Sequence, residues 1–143
     1  NAVSIHVRRG DYLEPKYWKT TGCVCQLPYY LNAIAEMNKR ISQPSYYVFS
    51  DDIAWVKENL PLPKALFIDW NKGAESWQDM MLMSRCRHHI ICNSTFSWWG
   101  AWLNPRENKT VIMPERWFRH CETPDICPDK WIKVPINQPD SIQ

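Results

Sequence analysis

Five short apolar runs, separated by segments of helical period, constrain this chain more than any other feature of it. Val3 to Val7 is the first, ending at the charged cluster Arg8-Arg9-Gly10-Asp11. Tyr46 to Ser50, Ala65 to Ile68, His88 to Cys92 and Thr110 to Met113 are the others, each of strand length. Pro28 opens a helix with Tyr30, Ile34, Met37 and Ile41 on one face, and Pro44 ends it. Asp51 and Asp52 stand at the N-cap of a second, whose Ile53, Val56 and Leu60 face inward before Pro61 and Pro63 stop it. Ser76-x-x-Asp79 reads as the capping sequence of a third through Arg85, with Trp77, Met80, Met81 and Met83 as apolar surface. Asn93-Ser94-Thr95 turns into a fourth, Phe96 to Leu103, ending at Asn104-Pro105. Strands and helices alternating at these lengths predict an α/β fold, a Rossmann-like doubly wound parallel sheet with right-handed crossovers and helices on both faces. A long loop after Asp11 and an irregular tail from Pro114, wrapping the domain, complete the expectation.

The 143 residues, 45% hydrophobic and 22% charged, suit one globular domain spanning 3–143. Asn1-Ala2 reads as an expression scar joined to an excised domain, with part of a parent protein missing. No stretch approaches the roughly 20 apolar residues of a membrane span, and no signal peptide opens the chain, so a soluble, cytoplasmic protein is expected. Lys+Arg 17 against Asp+Glu 15 is too even for a nucleic-acid or membrane footprint. The four glycines, Gly10, Gly22, Gly73 and Gly100, lie too far apart for a dinucleotide fingerprint or a phosphate loop. The six cysteines lack zinc-ligand spacing, and no metal site is expected. Cys86 and Cys92 read as small apolar residues beside a buried strand, and Cys121 and Cys127 could bridge if oxidised.

Ligands of doubly wound sheets bind at the carboxyl ends of the strands. His6 to Asp11, Ser50-Asp51-Asp52 and Asn93-Ser94-Thr95 close three of the strands and can converge on one rim. Without a glycine-rich loop, a diphosphate needs an arginine fork, whose fixed charge and bidentate geometry match phosphate oxygens. Arg8 and Arg9 alternate, so one can face a ligand while the other packs or pairs, with Asp11 a candidate partner; two surface arginines on a loop are the alternative. Asn93-Ser94-Thr95-Phe96-Ser97 would offer amide N–H groups and hydroxyls at a helix N-terminus, or Ser94 or Thr95 would simply cap that helix. Asp51 could accept the adjacent N1–H and N2–H donors of guanine, or cap its own helix. No Asp-x-Asp is present for a metal–nucleotide complex. Among the nine tryptophans, Trp98, Trp99 and Trp102 are expected in the core beside the site, although a sugar-stacking face is the competing reading.

His6-Val7-Arg8-Arg9-Gly10-Asp11-Tyr12, then Ser50-Asp51-Asp52, then Asn93 to Asn104 with its run Ser94-Thr95-Phe96-Ser97-Trp98-Trp99-Gly100-Ala101-Trp102, closely resemble the bacterial α-1,2-fucosyltransferases of glycosyltransferase family eleven. The resemblance runs from Val3 to about Phe118. It implies the carboxy-terminal, donor-binding half of a GT-B enzyme that inverts configuration and uses neither metal nor other cofactor. The implied partners are GDP-fucose and a galactose-containing acceptor glycan, with peripheral association of the parent enzyme with a bacterial inner membrane. By similarity, Arg8 would hold the β-phosphate, His6 would lie near the ribose or base, Asp51 would read guanine, and Asn93, Ser94, Thr95, Phe96 and Ser97 would bind diphosphate and sugar. Arg9 would join the donor-binding set, and Asp11 is the candidate general base unless its charge orients Arg9. The amino-terminal half being absent, the fragment is expected to bind nucleotide weakly and to transfer little sugar. The rival expectation is a noncatalytic glycan-binding module using surface tryptophans.

Overall fold

Val3, Ile5 and Val7 alternate with Ser4 and His6 along strand β1 (Ala2–Val7), and this period of two divides the molecule into layers. In the computed structural model, which describes residues 1–137, the apolar set packs beneath helices α2 (Leu27–Arg40) and α3 (Ile53–Asn59) in the larger core. Ser4 and His6 face the opposite layer, formed by α4 (Trp77–Arg85) and α5 (Thr95–Trp102). The remaining strands are β2 (Ser45–Ser50), β3 (Leu66–Ile68), β4 (His88–Ile90), β5 (Val111–Pro114) and β6 (Ile132–Val134). All pairs are parallel, in the order β3-β2-β1-β4-β5-β6. The α/β Rossmann-like sheet read from the sequence is therefore present, and the direction of winding reverses between β1 and β4.

Local chemistry accounts for most element ends. Pro28 occupies the first turn of α2, where its missing N–H costs nothing, and Ile41 leaves the helix as an extended residue instead of completing its face. Asp52 Oδ1 accepts the Trp55 N–H at 3.1 Å and caps α3. Ser76 does not cap α4 with its side chain, and Asp79 accepts instead from Asn71 Nδ2 at 2.7 Å. The segment after Asp11, expected as a loop, is wound into a 3-10 turn (Asp11–Leu13), a helical turn α1 (Pro15–Tyr17) and a wider turn (Trp18–Gly22). A β-carbon at Gly22 would lie 1.9 Å from the Tyr12 carbonyl oxygen, so only glycine lets these turns close.

Two further expectations change, and two others gain structural detail. The tail is not wholly irregular: Ile132 to Val134 forms β6 and hydrogen-bonds along β5. Asn1 and Ala2, set apart as a scar, are tied into the sheet, since Ala2 pairs with Ser45 and the Asn1 carbonyl accepts the Ser45 N–H. Trp98 is half-buried, stacks on Trp102 with centroids 5.0 Å apart, and donates from Nε1 to the Ile126 carbonyl; Trp99 and Trp102 are exposed rather than core. Cys121 and Cys127 are not bridged, and all six cysteines are free. Among the described residues no helix is long and apolar enough to cross a membrane.

At the amino ends of the central strands a buried polar chain joins the sheet to α5. Asn104 Nδ2 lies 2.8 Å from His89 Nε2 and donates to the Cys86 carbonyl at 3.0 Å, while its Oδ1 accepts the Arg106 N–H at 3.1 Å. His89 Nε2 must then be the acceptor, which places its proton on Nδ1, 2.8 Å from Ser4 Oγ. Burial, reinforced by nearby Lys109, lowers the His89 pKa to about 3 and keeps the ring in this neutral form.

Candidate functional site

Where the winding reverses, the carboxyl ends of the strands diverge and leave a cleft of about 980 Å³. The β1 end contributes His6, Arg8, Asp11 and Tyr12. Ser50 and Asp51 follow β2, and Asn93 to Phe96 lead from β4 into α5. The three segments singled out from the sequence therefore meet on one rim.

Arg8 and Arg9 take opposite sides of the strand end. Arg9 turns away from the cleft: its Nε is 3.1 Å from Asp52 Oδ2 and its guanidinium carbon lies 4.0 Å from the Trp55 ring centroid. Arg8 lines the cleft and is the arginine that pairs with Asp11, its Nε and Nη2 lying 3.1 and 3.0 Å from Oδ1. Asp11 thus orients Arg8, not Arg9. Asp51 Oδ1 accepts the Arg9 N–H at 2.9 Å, and its Oδ2 is 3.4 Å from Arg8 Nη1. A β-carbon at Gly10 would sit 2.5 Å from that Oδ2, so a side chain there would displace the carboxylate.

The β4–α5 turn divides its polar groups between fold and cleft. Ser97 is fully buried, and its Oγ accepts the Cys92 N–H at 3.2 Å, so it braces the turn and does not reach a ligand. Asn93 Nδ2 donates to the Thr21 and Trp117 carbonyls, each at 3.0 Å, and Oδ1 is the one buried side-chain polar atom without a partner among the described residues. Ser94 and Thr95 line the cleft, and no side chain caps α5. The first amides of that helix, at Thr95 to Ser97, have no intrahelical acceptor, as at any helix start, and the Ser94 side chain does not take one up, the condition under which a helix start holds an anion. His6, 7% exposed, tilts against Phe96 with centroids 5.5 Å apart and contacts Cys92 Sγ through Nδ1 at 3.5 Å. Burial, with a smaller contribution from Arg8, lowers its pKa to about 3, so it is a neutral floor to the site rather than a cation.

One wall was missed in the sequence. Asp69, Asn71 and Lys72 follow β3, Gly73 turns the chain at φ 57°, and Ser76 and Asp79 begin α4. Burial raises the Asp79 pKa, opposed by the Asn71 hydrogen bond. The signal was available, since Asp69 follows a fourth strand whose carboxyl end obeys the same rule as the other three. Tyr12 completes the rim by donating from its hydroxyl to the Asn93 carbonyl at 2.9 Å, and burial pushes its pKa up to about 12. Trp117 and Phe118, from the tail, close the far side. Among the described residues no group of three or more His, Cys, Asp or Glu side chains could hold a metal.

The family described as Glycosyl transferase family 11 matches residues 1–134. An alpha-1,2-colitosyltransferase of Escherichia coli is 38% identical over 138 residues, covering 94% of this chain and 48% of that protein. The O-antigen biosynthesis glycosyltransferase WbnK of Escherichia coli is 37% identical over 135 residues, covering 94% and 45%. A galactoside alpha-(1,2)-fucosyltransferase 1 of Saimiri boliviensis boliviensis is 35% identical over 105 residues, covering 71% and 28%. The chain spans about half the length, or less, of these curated relatives. No solved structure matches it.

Proposed function

The chain belongs to glycosyl transferase family 11, and from that membership and its cleft we propose that it is the donor-binding half of a GT-B galactoside α-1,2-fucosyltransferase. The reaction is inverting and metal-independent, moving fucose from GDP-fucose to the 2-hydroxyl of a galactose-containing glycan. The observation that carries this reading is the pairing of Arg8 with the uncapped start of α5 across the β1–β4 reversal. A fork of N–H donors and a set of free amides face one space, which suits a diphosphate.

During transfer, the bond from the sugar anomeric carbon to the β-phosphate oxygen breaks as the acceptor oxygen bonds to the opposite face of that carbon. Positive charge grows on the sugar and negative charge on the departing diphosphate. Arg8 and the α5 amides stabilise the latter, and Asp11 is the candidate to accept the acceptor proton. Base selection falls to a cleft carboxylate. Asp51, the sequence candidate, would have to exchange its contacts with Arg9 and Arg8 for the base edge, whereas Asp79 has one oxygen on Asn71 and, among the described residues, no partner on the other. The GDP-to-ADP affinity ratio in Asp51→Asn and Asp79→Asn assigns the role to the residue whose loss collapses it.

Calorimetry tests the reading directly. GDP should bind where ADP does not match it; binding of fucosylated glycans indifferent to nucleotide would replace this assignment with the glycan-binding module, using Trp99 and Trp102. Two of the relatives' names share an α-1,2 linkage and differ in the sugar, colitose or fucose. Transfer assays of the longer parent protein with both GDP-sugars decide between them.

A further inference from the structure

Three charged groups share the rim, and their geometry is unequal. Both contacts between Arg8 and Asp11 use the single oxygen Oδ1, at 3.1 and 3.0 Å, on a side chain 42% exposed. Asp11 rides on a 3-10 turn, and its carboxylate makes no other hydrogen bond or ion pair among the described residues. Asp51 is less exposed, at 27%, is farther from Arg8 at 3.4 Å, and is fastened by the Arg9 N–H. Arg8 therefore has its fork occupied by a carboxylate that can leave, beside one that cannot leave without releasing the backbone. Arginine presents the same donors to a carboxylate and to a phosphate, so the two are competing ligands.

We propose that Asp11 is an exchangeable counter-ion of Arg8, occupying the Nε and Nη2 donors until a diphosphate takes them over and sets the Asp11 carboxylate free in the cleft. This rests on the reading of the cleft as a diphosphate site. Two consequences follow from it. Apparent affinity is reduced by the fraction of molecules in which Asp11 holds the fork. A free carboxylate also appears in the cleft only once the donor is seated.

The test is calorimetry of GDP and of inorganic pyrophosphate on the 143-residue chain and its Asp11→Asn, Asp11→Ala, Asp11→Glu and Asp51→Asn variants. Asp11→Asn and Asp11→Ala should bind both probes about three- to tenfold more tightly, the range expected when one partly exposed ion pair and its charge stop competing. The gain should shrink as salt is raised. Asp11→Glu should return toward the parent affinity, and Asp51→Asn should bind more weakly. A merely structural Asp11 would give weaker binding on substitution, never tighter. If GDP binds the parent chain and both Asp11→Asn and Asp11→Ala bind it equally or less tightly, the counter-ion assignment is overturned while the cleft reading stands. If the parent chain binds neither probe, the cleft reading itself fails and the inference with it.

Discussion

At the amino ends of β1 and β4, Ser4, His89 and Asn104 form a chain in which the named donors and acceptors all have partners, and the chain is closed to solvent. At the carboxyl ends of the same two strands, Arg8 is partly exposed, the start of α5 is uncapped, and Asn93 keeps a buried oxygen without a partner. Both ends are rich in polar groups, so polarity alone does not distinguish a site. What distinguishes it is remaining capacity. A network satisfied from within specifies packing, while one with donors left over awaits something from outside.

The comparison breaks most sharply at Asn104. Asn104→Ala strands His89 Nε2 and the Cys86 carbonyl in the interior, and should cost about 3 kcal/mol or more in denaturant unfolding. The affinity of the folded fraction for GDP should not change; a loss of affinity comparable with that of an Arg8 variant would erase the distinction between the two ends. Arg8→Ala is the opposite case. It should cost about 3 kcal/mol of diphosphate binding, about a hundredfold in affinity, because charge-assisted hydrogen bonds are worth roughly 1.5–3 kcal/mol each, and Arg8→Lys should recover only part. Its thermal midpoint should stay within about 2 °C of the parent, since a partly exposed ion pair adds little.

Two serines sharpen the contrast within one turn. Ser97→Ala orphans the Cys92 N–H and should lower stability by about 1–2 kcal/mol with unaltered GDP affinity, read by urea unfolding and calorimetry together. Ser94→Ala removes a hydroxyl that caps nothing, so stability should hold while GDP binding weakens by about fivefold.

The two histidines, one at each end, extend the comparison to pH. His6 and His89 both have pKa values lowered to about 3 in the folded chain. The unfolded chain takes up those protons near 6.5. The stability linked to neutral imidazole is therefore complete above pH 6.5 and is lost progressively as pH falls toward 3. Urea midpoints between pH 7 and pH 4 should decline accordingly, and a flat profile would contradict burial as the cause. Arg8→Ala should raise the His6 pKa modestly by removing the second of its two causes and leave that of His89 in place, followed by imidazole NMR.

Most of the sheet was legible because Val3 to Val7, Tyr46 to Ser50 and their counterparts carry their burial in their own composition. β6 was not, because Ile132-Lys133-Val134 is three residues long, carries an exposed lysine, and owes its extension to pairing with β5. At the site, alternation correctly separated Arg8 from Arg9. The pairing of Asp11 with Arg8 depends on the 3-10 turn that brings the chain back, which no local pattern announces. Ser76 and Asp79 matched a helix-cap spacing while their surroundings placed both on the cleft wall, because Asn71 supplies the partner that a cap would have supplied. Ser97 looked like one more hydroxyl in a serine-rich helix start, and only the depth of the turn reveals that it points inward.

The contact between Asn93 and Trp117 has a consequence for how such a domain is made. His6 and Arg8 leave the ribosome well before the Trp117 carbonyl that steadies Asn93 and the strand β6 beyond it. The central strands can pair as soon as β4 emerges, but the rim waits for the tail. Anion-binding competence should therefore follow the pairing of the central strands during translation, which separates in time a folded sheet from a finished site.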